Sequence, residues 1–422
     1  MVSVPRSPLG RVLPRRAASV VEQAMADTRV VLVNGARQVG KSTLVSQIAK
    51  QSEMSWYSFD SSETLGLAKL DPAEFVRAMP PVVIDEVQRF PEILLAIKEL
   101  VDFHGEPGMF LLTGSARVQS LRSVPDTLPG RIETIELWPL SQGEIDGASD
   151  GFVDAAFAHG ASLSHESHET REGYVDRIVR GGFPEAVART GKRRVVFHRS
   201  YVADLVNRDV TQISSIDKTG HLRSLVQLLA VGSGELLVPA ALANRLGITA
   251  ATVNRYVELL EQTFLVKRIP AWSRNLSTRA TATPKAAMVD SGIVASLLGM
   301  DAVRLRRLGS PLGPLLEGFV AMEVARQLSW CDQDVHMYHY RTRDNVEVDI
   351  ILENAQGQVI AVEVKAASST RPEDFRGLKH LAARLGDDFL AGYVLHLGTQ
   401  SLPAGPKLRT LPVAALWEVP AP

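Results

Sequence analysis

The sequence predicts an α/β protein of three modules: a parallel-sheet unit, a winged helix-turn-helix and a second α/β unit. Three patterns carry this reading. β-Branched apolar runs alternate with helical periodicities through the first third of the chain. Three helical stretches and a short strand follow in the middle. Strand-like runs flanked by helices return in the last third. The expected boundaries are 1–145 for the first unit, 146–215 for a flexible loop and helical linker or lid, 216–275 for the winged helix and 280–422 for the last unit.

Composition limits the function classes. A chain of 422 residues has room for two to four domains. Its 45% hydrophobic and 22% charged content is that of a soluble globular protein, which excludes fibrous and disordered classes. A net charge of −1 gives the whole chain no pull toward polyanions or membranes, so any such site must be local. The single cysteine, Cys331, rules out an intrachain disulfide and a cysteine-based zinc cluster, and fits a reducing cytoplasm. The basic stretch Val2 to Arg16 is not followed by an apolar h-region, so no secretory signal is expected. No apolar run approaches the ~18 residues a membrane span needs.

After a helix expected over Ala17 to Ala26, the strand Val30 to Val33 runs into Gly35-Ala36-Arg37-Gln38-Val39-Gly40-Lys41-Ser42-Thr43, and a helical pattern begins at Leu44. This is a complete phosphate-binding loop between a strand and a helix. Gly35 and Gly40 let the backbone turn its N–H groups inward, and the helix adds its positive end. Lys41 is placed for the β- and γ-phosphates and Ser42 for Mg²⁺.

A strand at Ser55 to Phe59 precedes Pro80-Pro81. Val82-Val-Ile84 then ends in Asp85-Glu86, an acidic pair that can hold Mg²⁺ (Asp85) and polarise the attacking water (Glu86). Met109 to Leu112 leads to Thr113 and Ser115. In nucleotide-binding sheets with an added strand between the loop strand and the acidic strand, a polar residue here contacts the γ-phosphate or the water. Arg131, just before the strand Ile132 to Leu137, is a candidate arginine finger, with Arg117 and Arg122 competing. No guanine-reading Asn/Thr-Lys-x-Asp pattern follows the first unit, which favours ATP over GTP.

Residues 146–172 are rich in Gly, Ala, Ser, His and acids and read as a flexible loop, with His165 and His168 as polar loop residues rather than metal ligands. Gly181-Gly-Phe-Pro-Glu185 and a helical stretch from Arg193 to Val210 follow. Helices are then expected over His221 to Ala230, Val238 to Leu246 and Ala250 to Gln262, with Gly247 as a stop, Thr249 as an N-cap and Phe264 to Val266 starting a wing. Between Ala241 and Ala280 stand six basic residues (Arg245, Arg255, Lys267, Arg268, Arg274 and Arg279) against Glu258 and Glu261, a local +4 that suits contact with DNA or RNA phosphates.

In the last unit a helix (Leu315 to Glu323) precedes strands at Val335 to Arg341, Val346 to Leu352 and Val359 to Val364, then a helix (Glu373 to Leu385) and a strand (Phe389 to Leu395). Glu347-Val-Asp349 and Glu363-Val-Lys365 each place two charges on one strand face. Asp349 and Glu363 on neighbouring strands can bind a divalent metal, with Lys365 orienting or activating a water and Glu317 upstream.

The phosphate loop, Val82-Val-Ile-Asp-Glu-Val-Gln-Arg-Phe-Pro-Glu92, Leu112-Thr-Gly-Ser-Ala-Arg117, Leu128-Pro-Gly-Arg131 and Gly181-Gly-Phe-Pro-Glu185 together resemble a prokaryotic family of AAA-type ATPases with a C-terminal DUF4143 domain. The resemblance spans nearly the whole chain. It implies an ASCE-type core that binds and hydrolyses ATP with Mg²⁺ through Gly40, Lys41, Ser42, Asp85 and Glu86. The C-terminal part, with Asp349, Glu363 and Lys365, is similar to PD-(D/E)xK nucleases, Val348 standing where proline precedes the first acid. The expectation is therefore an ATPase acting on nucleic acid, with a homo-oligomer required if an arginine finger acts in trans. The alternative is a nucleotide-dependent switch with a non-catalytic C-terminal domain.

Overall fold

A computed structural model describes residues 7–78, 80–115, 130–210 and 219–422. Arg117, Arg122, Leu128 and Pro129 lie outside the described residues.

Five short strands form the first sheet: β1 (Val30–Asn34), β2 (Ser55–Ser58), β3 (Val82–Asp85), β4 (Phe110–Gly114) and β5 (Ile132–Glu136). Their order is β2-β3-β4-β1-β5 and every pairing is parallel. β4 is thus the added strand, between the loop strand β1 and the acidic strand β3. Helices on both faces explain why β1, β3 and β4 are buried throughout and apolar without alternation. Strand periodicity still splits the core. Val31, Val33, Val83 and Leu111 pack with Leu44 and Val45 on one face, and Val30, Leu32, Ile84 and Leu112 with Ile93 and Ile97 on the other. Parallel strands put all five carboxyl ends on one edge, where the loop and the acidic pair meet.

The 146–172 stretch departs from the expected flexible loop. Phe152–His159 is a helix with Phe152, Val153, Ala155 and Ala156 buried. The segment is pinned to the chain's far end: Asp150 N–H donates to Trp417 O (3.1 Å), Gly151 N–H to Val419 O (2.9 Å) and Ser167 N–H to Thr399 O (2.9 Å). The small residues that read as a loop permit this close packing instead, since a Cβ on Gly151 would lie 2.0 Å from the Ala421 nitrogen. His165 faces Glu418 at 2.7 Å.

Helices Thr219–Val231, Pro239–Leu246 and Ala250–Gln262 are followed by antiparallel β6 (Val266–Ile269) and β7 (Lys285–Met288), with Leu236 bridging to Lys285. Thr249 caps the third helix, its hydroxyl accepting from Thr252 N–H at 3.1 Å. The 270–284 connection does not project as a free wing. It lies on the last sheet, with Ala271 bridged to His339 and Trp272 N–H bonded to His339 O.

That last sheet has six strands in the order β12-β13-β11-β10-β9-β8. They are β8 (Val335–Arg341), β9 (Glu347–Asn354), β10 (Val359–Lys365), β11 (Phe389–His396), β12 (Pro403–Gly405) and β13 (Leu408–Pro412). Helix Leu312–Gln327 packs on one face against Ile350, Ile360 and Val362. Helix Arg376–Leu385 covers the other, against Val348, Ile351 and Ala361. The expected helix–three strands–helix–strand order is present, and β12 and β13 extend it. Among the described residues no helix is long and apolar enough to cross a membrane.

Candidate nucleotide site

The phosphate loop is shaped by backbone constraints. A Cβ on Gly35 would stand 2.2 Å from the Leu137 carbonyl oxygen, so only glycine fits where the loop leaves β1. Gly40, at φ 101°, turns the chain into helix Lys41–Gln51. Lys41 is buried, and its ammonium donates to Gly35 O and Ala36 O, both at 2.9 Å, across the loop it belongs to.

The acidic pair closes on this loop. Ser42 Oγ donates to Asp85 Oδ1 at 2.9 Å, and Thr113 Oγ1 donates to the same oxygen at 2.6 Å. The Thr113 hydroxyl also accepts from Glu86 N–H at 3.0 Å, which helps hold Glu86 in its left-handed backbone state, φ 60°. The Glu86 carboxylate accepts from Gln88 Nε2 and from Ser115 Oγ, the latter at 3.2 Å. Thr113 and Ser115 therefore position the acids. Burial pushes the Asp85 carboxyl above its ordinary range, against the Thr113 and Ser42 hydrogen bonds that lower it; Glu86 adds to the rise and Lys41 opposes it. A buried carboxylate and a hydroxyl at hydrogen-bond distance form the hard-oxygen set a magnesium ion takes, so these residues fit that cofactor.

Several lining residues lie outside the motifs. A cavity of about 310 Å³ runs from the loop past Glu86 to Leu9, Val12, Leu13, Leu140 and Pro184. Arg15, almost fully buried, ties the N-terminal segment down. Its guanidinium donates to Val39 O (2.8 Å), Trp138 O (2.7 Å) and Glu144 Oε1 (3.0 Å). Gly181-Gly182 brings Pro184 and Glu185 to the cavity. A Cβ on Gly182 would sit 2.2 Å from Leu140 O, and its N–H donates to Asp290 Oδ2 at 2.7 Å. Only the glycine pair hinted at this in the sequence, and for Arg15 no local signal existed.

Comparison with known proteins divides the chain in three. Residues 27–146 match the family model described as AAA domain (AAA_14), residues 171–304 a domain of unknown function (DUF8612), and residues 312–416 a domain of unknown function (DUF4143). The chain joins an AAA domain to a DUF4143 domain. An uncharacterized protein of Mycobacterium tuberculosis is 27% identical over 359 residues, covering 84% of this chain and 74% of that one. A protein of Haemophilus influenzae is 22% identical over 377 residues, covering 83% and 86%. Among solved structures, a Walker-type ATPase of Pyrococcus abyssi aligns at TM-score 0.43 and 12% identity, covering 71% of this chain and 99% of that one. The RuvB Holliday junction branch migration motor of Thermotoga maritima aligns at 0.30 and 22%, covering 63% and 93%. AMPPCP-bound DnaA of Aquifex aeolicus aligns at 0.31 and 13%, covering 61% and 91%.

In the AAA domain Arg131 sits just before β5, at the sheet edge opposite the loop, and pairs with Asp102. Five strand residues, roughly 15 Å, separate that edge from the loop of its own subunit.

In the DUF4143 domain the predicted acids converge, but not around a metal position. Asp349 Oδ2 accepts from Val364 N–H (2.9 Å), and its Oδ1 faces the Lys285 ammonium (3.3 Å). Lys285 also pairs with Glu347 (2.8 Å), and Lys365 with Glu363 (2.7 Å). Burial pushes Glu363 up, with the Asp349 charge adding and Lys365 opposing; burial and Asp349 likewise raise Glu317. Burial alone would lower the Lys285 ammonium, but Asp349 and Glu347 reverse the sign and it is raised. Among the described residues no three His, Cys, Asp or Glu side chains form a metal-binding group. Both Asp349 oxygens and Glu363 Oε1 are held by the chain's own lysines and backbone, while Glu363 Oε2 is buried without a hydrogen-bond partner among the described residues.

The expected basic face is also altered. Arg268 pairs with Glu261, Arg274 with Asp388 and Arg279 with Glu353, and Lys267 lies over the Trp138 ring at 5.1 Å. Arg245 and Arg255 stand at exposed positions of the second and third helices.

Proposed function

We propose that the chain is a Mg²⁺-dependent ATPase with Lys41, Ser42, Asp85 and Glu86 at its hydrolytic centre. One observation carries this: the Ser42 hydroxyl meets the Asp85 carboxylate at 2.9 Å at the mouth of a complete phosphate loop. The N–H groups of Ala36 to Thr43 and the Lys41 ammonium bind the phosphates. Ser42 and Asp85 would hold magnesium, which would supply charge neutralisation at the phosphates. Glu86, steadied by Ser115 and Gln88, orients the attacking water. Leu9, Val12, Leu13 and Pro184 offer an apolar wall to the base. The Lys41→Ala protein tests the assignment: hydrolysis at the wild-type rate would sink it.

For the rest of the chain we infer a nucleotide-dependent switch ahead of a nuclease, because Lys285 pairs with Asp349 and Glu347, and Lys365 with Glu363. Arg131 can serve only a neighbouring subunit's site, so a finger role requires at least a dimer. Nucleic-acid binding rests on the helix Ala250–Gln262, with Arg255 on its outer face. Hydrolysis assayed with and without duplex DNA, alongside sedimentation with and without ATP, separates the readings. DNA-stimulated turnover and cutting lost in Asp349→Ala would favour the nucleic-acid enzyme. A nucleotide-driven change of assembly without cutting would favour the switch.

A further inference from the structure

Lys285 belongs to β7, yet its side chain leaves that unit and enters the carboxylate cluster of the DUF4143 sheet. It is buried, with its side chain 5% exposed, and its ammonium stands 2.8 Å from Glu347 and 3.3 Å from Asp349. A buried ammonium is tolerated only with such partners, and removing them from it, or it from them, leaves uncompensated charge. The 270–284 connection that ends at Lys285 is stapled along its length to the same sheet. Trp272 Nε1–H donates to Glu353 (3.1 Å), Arg279 pairs with Glu353 (2.7 Å), and His339 Nε2 meets Thr283 O (3.1 Å).

We propose that Lys285 is the cation that holds Asp349 and Glu347, and that this buried pairing locks the 270–285 strap onto the DUF4143 sheet. The strap is the segment that would form a wing, so the docked state withholds both the wing and Asp349 from outside partners. This is independent of the ATPase assignment, since none of these residues touches the phosphate loop.

Trypsin reads the lock directly, because Arg274 and Arg279 lie within the strap. In the full-length Lys285→Met protein, which keeps the apolar stem, cleavage at these two positions should rise at least tenfold over wild type. Lys285→Arg should stay within about threefold. Circular dichroism confirms that the variant is folded. A folded Lys285→Met cut at the wild-type rate would overturn the proposal. A second measurement needs no variant at position 285. Mn²⁺ titrated into the nucleotide-free wild type should show no binding that Asp349→Asn removes. An Mn²⁺ equivalent lost in Asp349→Asn would mean that a metal, not Lys285, is the cation at Asp349.

Discussion

Replacing Arg15 with alanine separates the N-terminal segment from the nucleotide site. The guanidinium makes three hydrogen bonds and faces Glu144, whose side chain is 1% exposed. Removing one member of a buried ion pair costs about 3–5 kcal/mol. Glu144 keeps backbone donors from Arg16 (2.7 Å) and Ser141 (3.1 Å), which places the loss near the lower end, about 3 kcal/mol. For a cooperative unit of AAA-domain size that is a fall in Tm of roughly 6–12 °C. The bond to Val39 O acts on the phosphate loop itself. A hydrogen bond to a charged group is worth about 1.5–3 kcal/mol, so its loss should raise the Kd for ATP roughly tenfold to hundredfold. A fluorescent ATP analogue titrated into wild type, Arg15→Ala and Arg15→Lys gives the answer, with melting curves in parallel. Lysine keeps the charge but not the fork, so it should fall between the other two. An Arg15→Ala protein that binds ATP within twofold of wild type and melts with it would refute the reasoning.

Further outcomes follow from single contacts. Glu86→Gln should retain ATP binding while kcat falls roughly 100- to 10,000-fold, the range for a lost general base; turnover within threefold of wild type would remove Glu86 from the mechanism. Gly182→Ala drives a methyl into the Leu140 carbonyl and should cost about 1–3 kcal/mol, with a raised KM because Pro184 and Glu185 line the cavity; unchanged melting would contradict the close approach. Burial raises the Asp150 carboxyl from 3.8 to about 7, so the folded chain holds a proton that the unfolded chain releases. That term favours folding in acid and is lost as pH rises through about 7, on the order of 4 kcal/mol in all. Asp150→Asn should therefore stabilise the protein at pH 8 relative to wild type and not at pH 4; equal differences at both pH values would rule this out.

The phosphate loop was legible because its chemistry is local: strand, glycines, lysine, serine and helix follow one another within about a dozen residues. The acidic pair was legible for the same reason, as a buried strand that ends in charge. The last unit's element order was read from its strand-like and helical runs, and the shared strand face of Glu363 and Lys365 from period two. Residues 146–172 were misread because small residues mark both loops and tight packing, and only the neighbouring chain decides between them.

The sequence by itself determined the phosphate-loop motif and its place between a strand and a helix, since adjacent residues and backbone geometry suffice for that. What only the tertiary structure decided is where the distant charges go. Arg15 meets Glu144 at a separation of 129 residues, and Lys285 meets Asp349 at 64. No propensity or period links such positions. A buried charge takes whichever partner packing brings within reach, because leaving it unpaired costs more than any local preference.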